Sequence, residues 1–123
     1  MLGEHFALEI AVVLHNLGAV ITLGLGGMAL LRPHLAASFT SIEPIGLLGL
    51  SEIRATYGGL FAALGAVALV LQDNIFFAGL GAGWLGAAIG RTLSVFLDRS
   101  RENKNFGGIA FESALGILLL APF

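Results

Sequence analysis

The sequence predicts an all-α fold: a single domain, residues 1–123, forming an integral membrane bundle of four transmembrane helices. Apolar residues make up 57% of the 123 positions and charged residues only 11%, whereas soluble domains average about 45–50% and about 25%. Four apolar segments are separated by polar or proline-containing stretches. Eight acidic and six basic side chains are too few to cover a soluble domain of this length.

The first predicted helix covers residues 6–31. Between Glu9 and Arg32 lie 22 residues without a formal charge, which is enough to cross a hydrocarbon core of about 30 Å. Pro33 follows this run and ends the helix. The next residues, 35–50, are mildly apolar but contain proline and glycine, so we expect a loop over 38–44 within an interfacial or re-entrant segment.

Three further predicted helices cover residues 51–71, 75–97 and 105–123. The first two contain long charge-free runs, and the polar residues 72–74 between them predict a tight turn. The last helix has 19 residues, reaches only about 28 Å and is interrupted by Glu112. Residues 98–105 form the most hydrophilic stretch and predict an exposed connection between the third and fourth helices.

The basic residues predict the orientation. With four spans, the first and third loops share one side of the membrane, and the opposite side carries no lysine or arginine. The positive-inside rule therefore places these two loops in the cytoplasm and both termini outside. The N-terminus lacks the features of a cleaved signal peptide, so we expect the first helix to remain as an anchor. The basic residues in question are Arg32, Arg99, Arg101 and Lys104.

Composition also argues against several classes of function. The net charge is −2 and no basic stripe is present, so nucleic acid is not an expected partner. The absence of cysteine excludes disulfides, thiolate catalysis and iron–sulfur ligation. No heme or flavin motif is recognisable, and the expectation is that the protein needs no cofactor.

Glycine is abundant, and some of it has the spacing of helix contacts. Gly79 with Gly83, and Gly86 with Gly90, form G-x-x-x-G pairs. Small residues four positions apart let helix backbones approach closely in lipid. We therefore expect these glycines to pack against neighbouring helices.

Six polar or ionisable residues are predicted to lie at one depth, near the cytoplasmic face. An ionised side chain at the centre of a membrane helix costs about 2.5–3.5 kcal/mol, so each needs a partner or a function. Two arginines balance two glutamates, and that balance permits burial. The six residues are Glu52, Arg54, Tyr57, Arg91, Ser94 and Glu112.

Three interpretations of this polar cluster remain open. The arginines and glutamates can form salt bridges that fix the register of the helices. They can instead bind a head group or carry out proton chemistry, because ionisable residues within a membrane are functional candidates by default. Arg54 and Arg91 can also extend to the interface, where their guanidinium groups meet water.

The first helix adds His15 on a stripe of small and polar residues. This pattern predicts that His15 faces the interior, near the middle of the helix, as a hydrogen-bonded packing residue or a proton relay. No second metal-type ligand lies at helical spacing from it. The sequence therefore predicts no metal site.

Residues 51–65 carry a family resemblance. Their Glu-Ile-Arg-Ala-Thr-Tyr-Gly-Gly stretch resembles a family of small bacterial membrane proteins known as the domain of unknown function DUF4345, which is similar to the DoxX-like four-helix membrane proteins. Weaker matches are Leu31-Arg32-Pro33, Gly90-Arg91 and Glu112. The resemblance implies a DoxX-like bundle in the bacterial cytoplasmic (inner) membrane, and it implies no particular activity.

Two functions are therefore considered. The first is a structural or accessory bundle, alone, as a homo-oligomer or in a larger membrane complex, that binds a lipid, quinone or isoprenoid head group. Its expected ligand-binding residues are Arg54, Arg91, Ser94, Tyr57 and His15. The second is a membrane-embedded enzyme of isomerase or cyclase type acting on a hydrophobic small molecule, with Glu52 or Glu112 as general acid or base and Tyr57 as hydrogen-bond donor. Transport is less favoured because four short helices cannot enclose a pore without an oligomer.

Overall fold

Every regular element of the computed structural model, which describes residues 2–121, is a helix. The predicted all-α class is therefore confirmed. Six α-helices and one π-helical segment follow one another within residues 2–121. They are α1 (Leu2–Leu31), α2 (Pro33–Thr40), α3 (Gly46–Glu52), the π segment (Ile53–Gly59), α4 (Leu60–Leu71), α5 (Asn74–Leu97) and α6 (Asn103–Leu120).

Three helical stretches within residues 2–121 are long and apolar enough to cross a membrane. They are Leu2–Leu31, Gly46–Leu71 and Asn74–Leu97, and they indicate a membrane protein. The last helix, α6, is less apolar than these three stretches, because it begins Asn-Lys-Asn and carries Glu112 near its middle. Its predicted end at residue 123 lies outside the described residues.

The helix boundaries differ from the predicted ones where local interactions extend a helix. Helix α1 begins at Leu2 rather than residue 6, with Glu4 in its first turn, where a carboxylate is favourable to the helix dipole. His5 and Glu9 also pair along the helix, with His5 Nε2 3.1 Å from Glu9 Oε1. The second long helix begins at Gly46 rather than residue 51.

The connection after α1 is more helical than the predicted loop over residues 38–44. Pro33 occupies the first turn of α2, where its missing N–H is tolerated. The hydroxyl of Thr40 donates to the carbonyl of Ala36 over 2.9 Å. Helix α2 ends at Thr40 and is capped by Ser41, whose φ of 58° is left-handed, so the loop is limited to residues 41–45.

The π segment is the most unusual backbone feature. Residues 53–59 read Ile-Arg-Ala-Thr-Tyr-Gly-Gly and join α3 to α4 in one uninterrupted helical stretch. A π-helix forms i→i+5 hydrogen bonds and holds roughly one more residue per turn than an α-helix. Such segments are rare in proteins, and many of those that occur lie at functional sites. The π segment coincides with the stretch that carries the family resemblance.

Residues 19–71 form one compact unit, called here the central unit. Small side chains dominate its buried core, which lets the helix backbones approach closely. Gly65 shows how close they come, because a Cβ at this position would lie 2.6 Å from the backbone nitrogen of Leu23. The core residues are Ala29, Ala36, Ala37 and Ile53, with Met28 and Tyr57 packed against them.

Residues 2–18 and 72–121 belong to the second unit, called here the terminal unit. Phe77, Leu115 and Leu119 are its fully buried large apolar side chains. Helices α5 and α6 pack closely, since a Cβ at Gly116 would lie 3.1 Å from the carbonyl oxygen of Gly81. Trp84 meets Phe111 edge to face, with ring centroids 6.1 Å apart, which is a favourable aromatic geometry.

The predicted packing role of the G-x-x-x-G pairs in α5 is wrong. A Cβ added to Gly79, Gly83, Gly86 or Gly90 would meet no heavy atom of the described chain within 4 Å. The spacing identifies a face of small residues but not the face on which neighbouring helices lie. Gly81, two residues after Gly79, makes the contact instead.

Substituting alanine at a packed and at an open glycine separates the two kinds of position. We expect Gly65→Ala to destabilise the protein by about 1–3 kcal/mol, because the new methyl group collides with backbone and the helices must move apart. Gly83→Ala, the matched control, should leave the melting temperature unchanged or slightly raised. Thermal unfolding in detergent measures both, and equal melting temperatures for the two variants would contradict the described packing.

Two candidate functional sites

The first candidate site is an ion pair in the terminal unit. Arg91 Nε donates to Glu112 Oε1 over 2.5 Å, and Arg91 Nη1 donates to Asn105 Oδ1 over 3.2 Å. Glu112 is 7% exposed, whereas the Arg91 side chain is 37% exposed. The carboxylate is therefore the buried member of the pair, and the guanidinium reaches it from a more open position.

Glycine makes room for this ion pair. A Cβ at Gly108 would lie 2.8 Å from Arg91 Nε, so a larger residue one turn before Glu112 would displace the guanidinium. The stripe formed by Gly108, Glu112 and Gly116 faces the neighbouring helix, as their spacing predicts. Glu112 is the tenth of the 18 residues of α6, where an unpaired charge would be costly.

Ser94 lies one turn beyond Arg91 and serves the end of α5. Its hydroxyl donates to Asp98 Oδ2 over 2.7 Å, and its carbonyl accepts from the backbone N–H groups of Asp98 and Ser100. These bonds satisfy carbonyl and hydroxyl groups where the helix ends. A ligand-binding role for Ser94 stays a prediction.

The second candidate site is an open cavity of about 390 Å³ in the central unit. It lies between the loop after α2, helix α3 and the π segment. Its size is within the range of about 300–1,000 Å³ that is usual for small-molecule sites. The lining residues are Ile42, Glu43, Pro44, Ile45, Gly49, Glu52, Ile53, Thr56 and Tyr57.

The cavity has apolar walls and a few polar groups. Isoleucines and a proline form much of the lining, and the residues with polar side chains among it are Glu43, Glu52, Thr56 and Tyr57. An apolar wall with few polar groups is typical of sites that bind a small molecule and fix its orientation. The Tyr57 ring is held by an edge contact with Phe61, with centroids 6.1 Å apart.

Arg54 is adjacent in sequence to the cavity residues, but its side chain contacts a different helix, α1. Its guanidinium donates to the carbonyl oxygen of Leu30 near the end of α1. The last carbonyl groups of a helix lack partners within it, and a positive charge there is favourable to the helix dipole. Arg54 thus ties the π segment to α1, and its role in ligand binding stays a prediction.

His15 faces the interior of the terminal unit, as predicted, and is 1% exposed. Its Nε2 lies 3.0 Å from the carbonyl oxygen of Ala121, and its ring stacks at a tilt on Phe77, 4.9 Å between centroids. His15 also lies near the middle of α1 (Leu2–Leu31), as predicted. Its contact with Ala121 places it level with the end of α6.

Asn16, the next residue of α1, lies at the same level along the helix as His15. Its amide pairs with that of Gln72 in both directions, over 3.0 Å and 2.6 Å. Gln72 has a left-handed φ of 52° and lies in the turn before α5. The N-terminal part of α1, before His15, therefore extends about 20 Å past this turn, and its residues 2–10 are exposed.

The members of the predicted polar cluster belong to two different units. Arg91, Ser94 and Glu112 lie in the terminal unit, and Glu52, Arg54 and Tyr57 lie in the central unit. Sequence reasoning did not single out Glu43, Thr56 or Asn105. Thr56 lies within the family stretch and could have been identified from the sequence. Glu43 and Asn105 join the sites only through tertiary contacts.

Within residues 2–121, no three histidine, aspartate or glutamate side chains are grouped so as to hold a metal ion. The chemistry open to the cavity is hydrogen bonding and proton transfer by carboxyl and hydroxyl groups. The chemistry of the terminal unit is that of a closed ion pair, in which the carboxylate already has its partner.

Comparisons with known proteins give one result. Neither the curated proteins nor the solved structures contain a significant match. Residues 10–122 match the family described as Domain of unknown function (DUF4345). The match covers both candidate sites and nearly the whole sequence. The chain therefore belongs to the DUF4345 family, whose members share a domain without an assigned function.

Proposed function

We propose that this protein is a membrane-embedded binding protein whose site is the cavity beside the π segment. The observation that carries the proposal is the coincidence of three features at residues 53–57: the cavity wall, the π-helical backbone and the family stretch. A π segment interrupts the regular hydrogen-bond pattern of an α-helix. Its presence where a cavity opens supports a role in shaping that cavity for a small hydrophobic molecule.

We place the cavity in a bacterial inner-membrane bundle of DoxX-like type with four spans, α6 being the fourth. The basic loop residues favour a cytoplasmic position for the loops after α1 and after α5. Both termini then lie outside. Helix α3 lines the cavity and also carries exposed apolar residues, including Leu47 and Leu48, so the cavity adjoins a helix suited to contact with lipid.

Blocking the cavity tests the proposal. We expect wild-type protein extracted in native lipid to carry a co-purifying small molecule, detectable by mass spectrometry, and Thr56→Trp to lose it because the indole fills the cavity. Val70→Trp is the control for size, since Val70 lies on α4 and is 82% exposed. An equal amount of the molecule in both variants, with unchanged melting temperatures, would contradict the proposal.

The enzyme alternative has one observation in its favour. Glu52 and Tyr57 both line the cavity, so a residue with a carboxyl group and one with a phenol lie at the same site, and acid–base catalysis needs such a pair. Glu112 is less suited, because Arg91 occupies its carboxylate. An enzyme would convert the co-purifying molecule, and Glu52→Gln would retain binding but stop the conversion; a pure binding protein would leave the molecule unchanged.

A further inference from the structure

We propose that Arg54 is a positioning residue for the cavity: by binding the end of α1, it keeps the π segment from relaxing to an α-helix and so keeps α3 against the cavity. The proposal rests on the proposed function, since it names what holds that site open. It starts from one contact, in which the guanidinium of Arg54 donates to the carbonyl oxygen of Leu30. Leu30 is the second-to-last residue of α1, so no N–H group within that helix is available to its carbonyl.

The buried positions along this helical stretch show the effect of the extra residue in the π segment. Ile53 and Gly58 are the two buried residues of the segment and lie five positions apart, whereas one face of an α-helix repeats every three or four positions. After Gly58, close contacts with α1 recur at Ala62 and Gly65, at regular α-helical spacing. The π segment therefore offsets α3 from α4 by one residue, which corresponds to a rotation of about 100°.

The two ends of the stretch are held unequally. Helix α4 is fixed on α1, because a Cβ at Gly65 would lie 2.6 Å from the backbone nitrogen of Leu23. None of the seven residues of α3 is buried. Relaxation of the π segment to an α-helix would therefore turn α3 rather than α4, and Gly49 and Glu52 would leave the cavity wall that they line.

Two contacts at the start of the π segment oppose this turn. Ile53 packs in the buried core of the central unit, but apolar contact is non-directional and tolerates rotation. The hydrogen bond of Arg54 has a fixed donor and acceptor, so turning α3 breaks it. Gly58, one turn after Arg54, also lies against Leu30, because a Cβ there would be 3.0 Å from the Leu30 backbone nitrogen. Arg54 and Gly58 together fix the π segment to one residue of α1.

Spin labels on α3 test this role. The chain contains no cysteine, so cysteine-linked labels can be placed at Leu47 or Leu48 and paired with one at Leu31, all three being exposed. Leu47 and Leu48 lie about 100° apart around the helix. A turn of α3 therefore changes at least one of the two label distances, by about 5 Å or more. Double electron–electron resonance in nanodiscs measures both distances.

Three arginine variants are compared. We expect Arg54→Met to turn α3 and to lower the amount of co-purifying molecule about tenfold, because a hydrogen bond from a charged donor is lost. Arg54→Lys should keep both the wild-type distances and the molecule, since lysine can still donate to the carbonyl of Leu30. Arg99→Met, in the exposed connection after α5, controls for the loss of a positive charge and should change neither.

The outcomes separate this role from the binding function. Unchanged distances in Arg54→Met, or a turn of α3 that leaves the amount of co-purifying molecule unchanged, would overturn the inference while the binding function stands. Loss of the molecule without a turn would also overturn it, because Arg54 would then bind the ligand itself. A turn of α3 in Arg54→Met, in a protein from which Thr56→Trp removes no molecule, would leave the hold of Arg54 on α3 in place and overturn the binding function.

Discussion

Arg91→Leu is expected to be the most destabilising single substitution in the terminal unit. It leaves the carboxylate of Glu112, which is 7% exposed, without its cation. Breaking a buried ion pair from one side costs about 3–5 kcal/mol, because an uncompensated charge stays in the interior. Glu112→Leu should cost less, since the Arg91 side chain is 37% exposed and can turn its guanidinium away.

The double variant distinguishes a structural pair from a functional one. Arg91→Leu combined with Glu112→Leu removes both charges and replaces them with apolar volume, which is often neutral or stabilising. We expect it to recover most of the stability lost in Arg91→Leu. Thermal unfolding in detergent measures all three variants, with Arg101→Leu in the exposed loop as the control for loss of a positive charge. A double variant as unstable as Arg91→Leu would show that the pair does more than balance charge.

Deleting one residue from the π segment is the second change with a large expected effect. A π-helix holds roughly one extra residue per turn, so removal of Ala55 lets the segment return to an α-helix without rotating α4. Gly65 should keep its contact with α1, and the protein should fold. Thr56 and Tyr57 lose their position on the cavity wall, and we expect the co-purifying molecule to be lost.

A deletion in a regular helix provides the contrast. Removing Ala63, an exposed residue of α4, rotates the helix on one side of the deletion by about 100° relative to the other. Gly65 would then turn away from α1, and the folded protein should be lost. Circular dichroism and size-exclusion chromatography report folding of both deletions. If deletion of Ala55 abolishes folding as completely as deletion of Ala63, the π segment is needed for the fold and not only for the cavity.

Composition predicted the helical membrane class because a helix that spans the membrane must be predominantly apolar along its whole length. The charge-free run of residues 10–31 identified α1, and the run of residues 74–90 identified α5. Boundaries were less accurate, since the start of α1 depends on Glu4 and the His5–Glu9 pair. The π segment was not predicted, because i→i+5 and i→i+4 hydrogen bonds place no clearly different demand on composition.

The candidate sites were predictable to different degrees. Arg91 and Glu112 were identified because charges within apolar helices need partners, and the structure pairs them. The lining of the cavity was predicted only in part. Glu52 and Tyr57 were singled out from the sequence, but Glu43 joins them only through the turn after α2. The contacts of His15 with Phe77 and Ala121 could not be read from α1 alone, because they depend on α5 and on where α6 ends.

The central claim is that the cavity beside the π segment holds a ligand. An experimental density map of the protein purified in native lipid tests it most directly. The account predicts elongated density in the cavity, over a backbone that is π-helical at residues 53–59. An empty cavity over a regular α-helix, or ligand density beside Arg91 and Glu112 instead, would contradict the account.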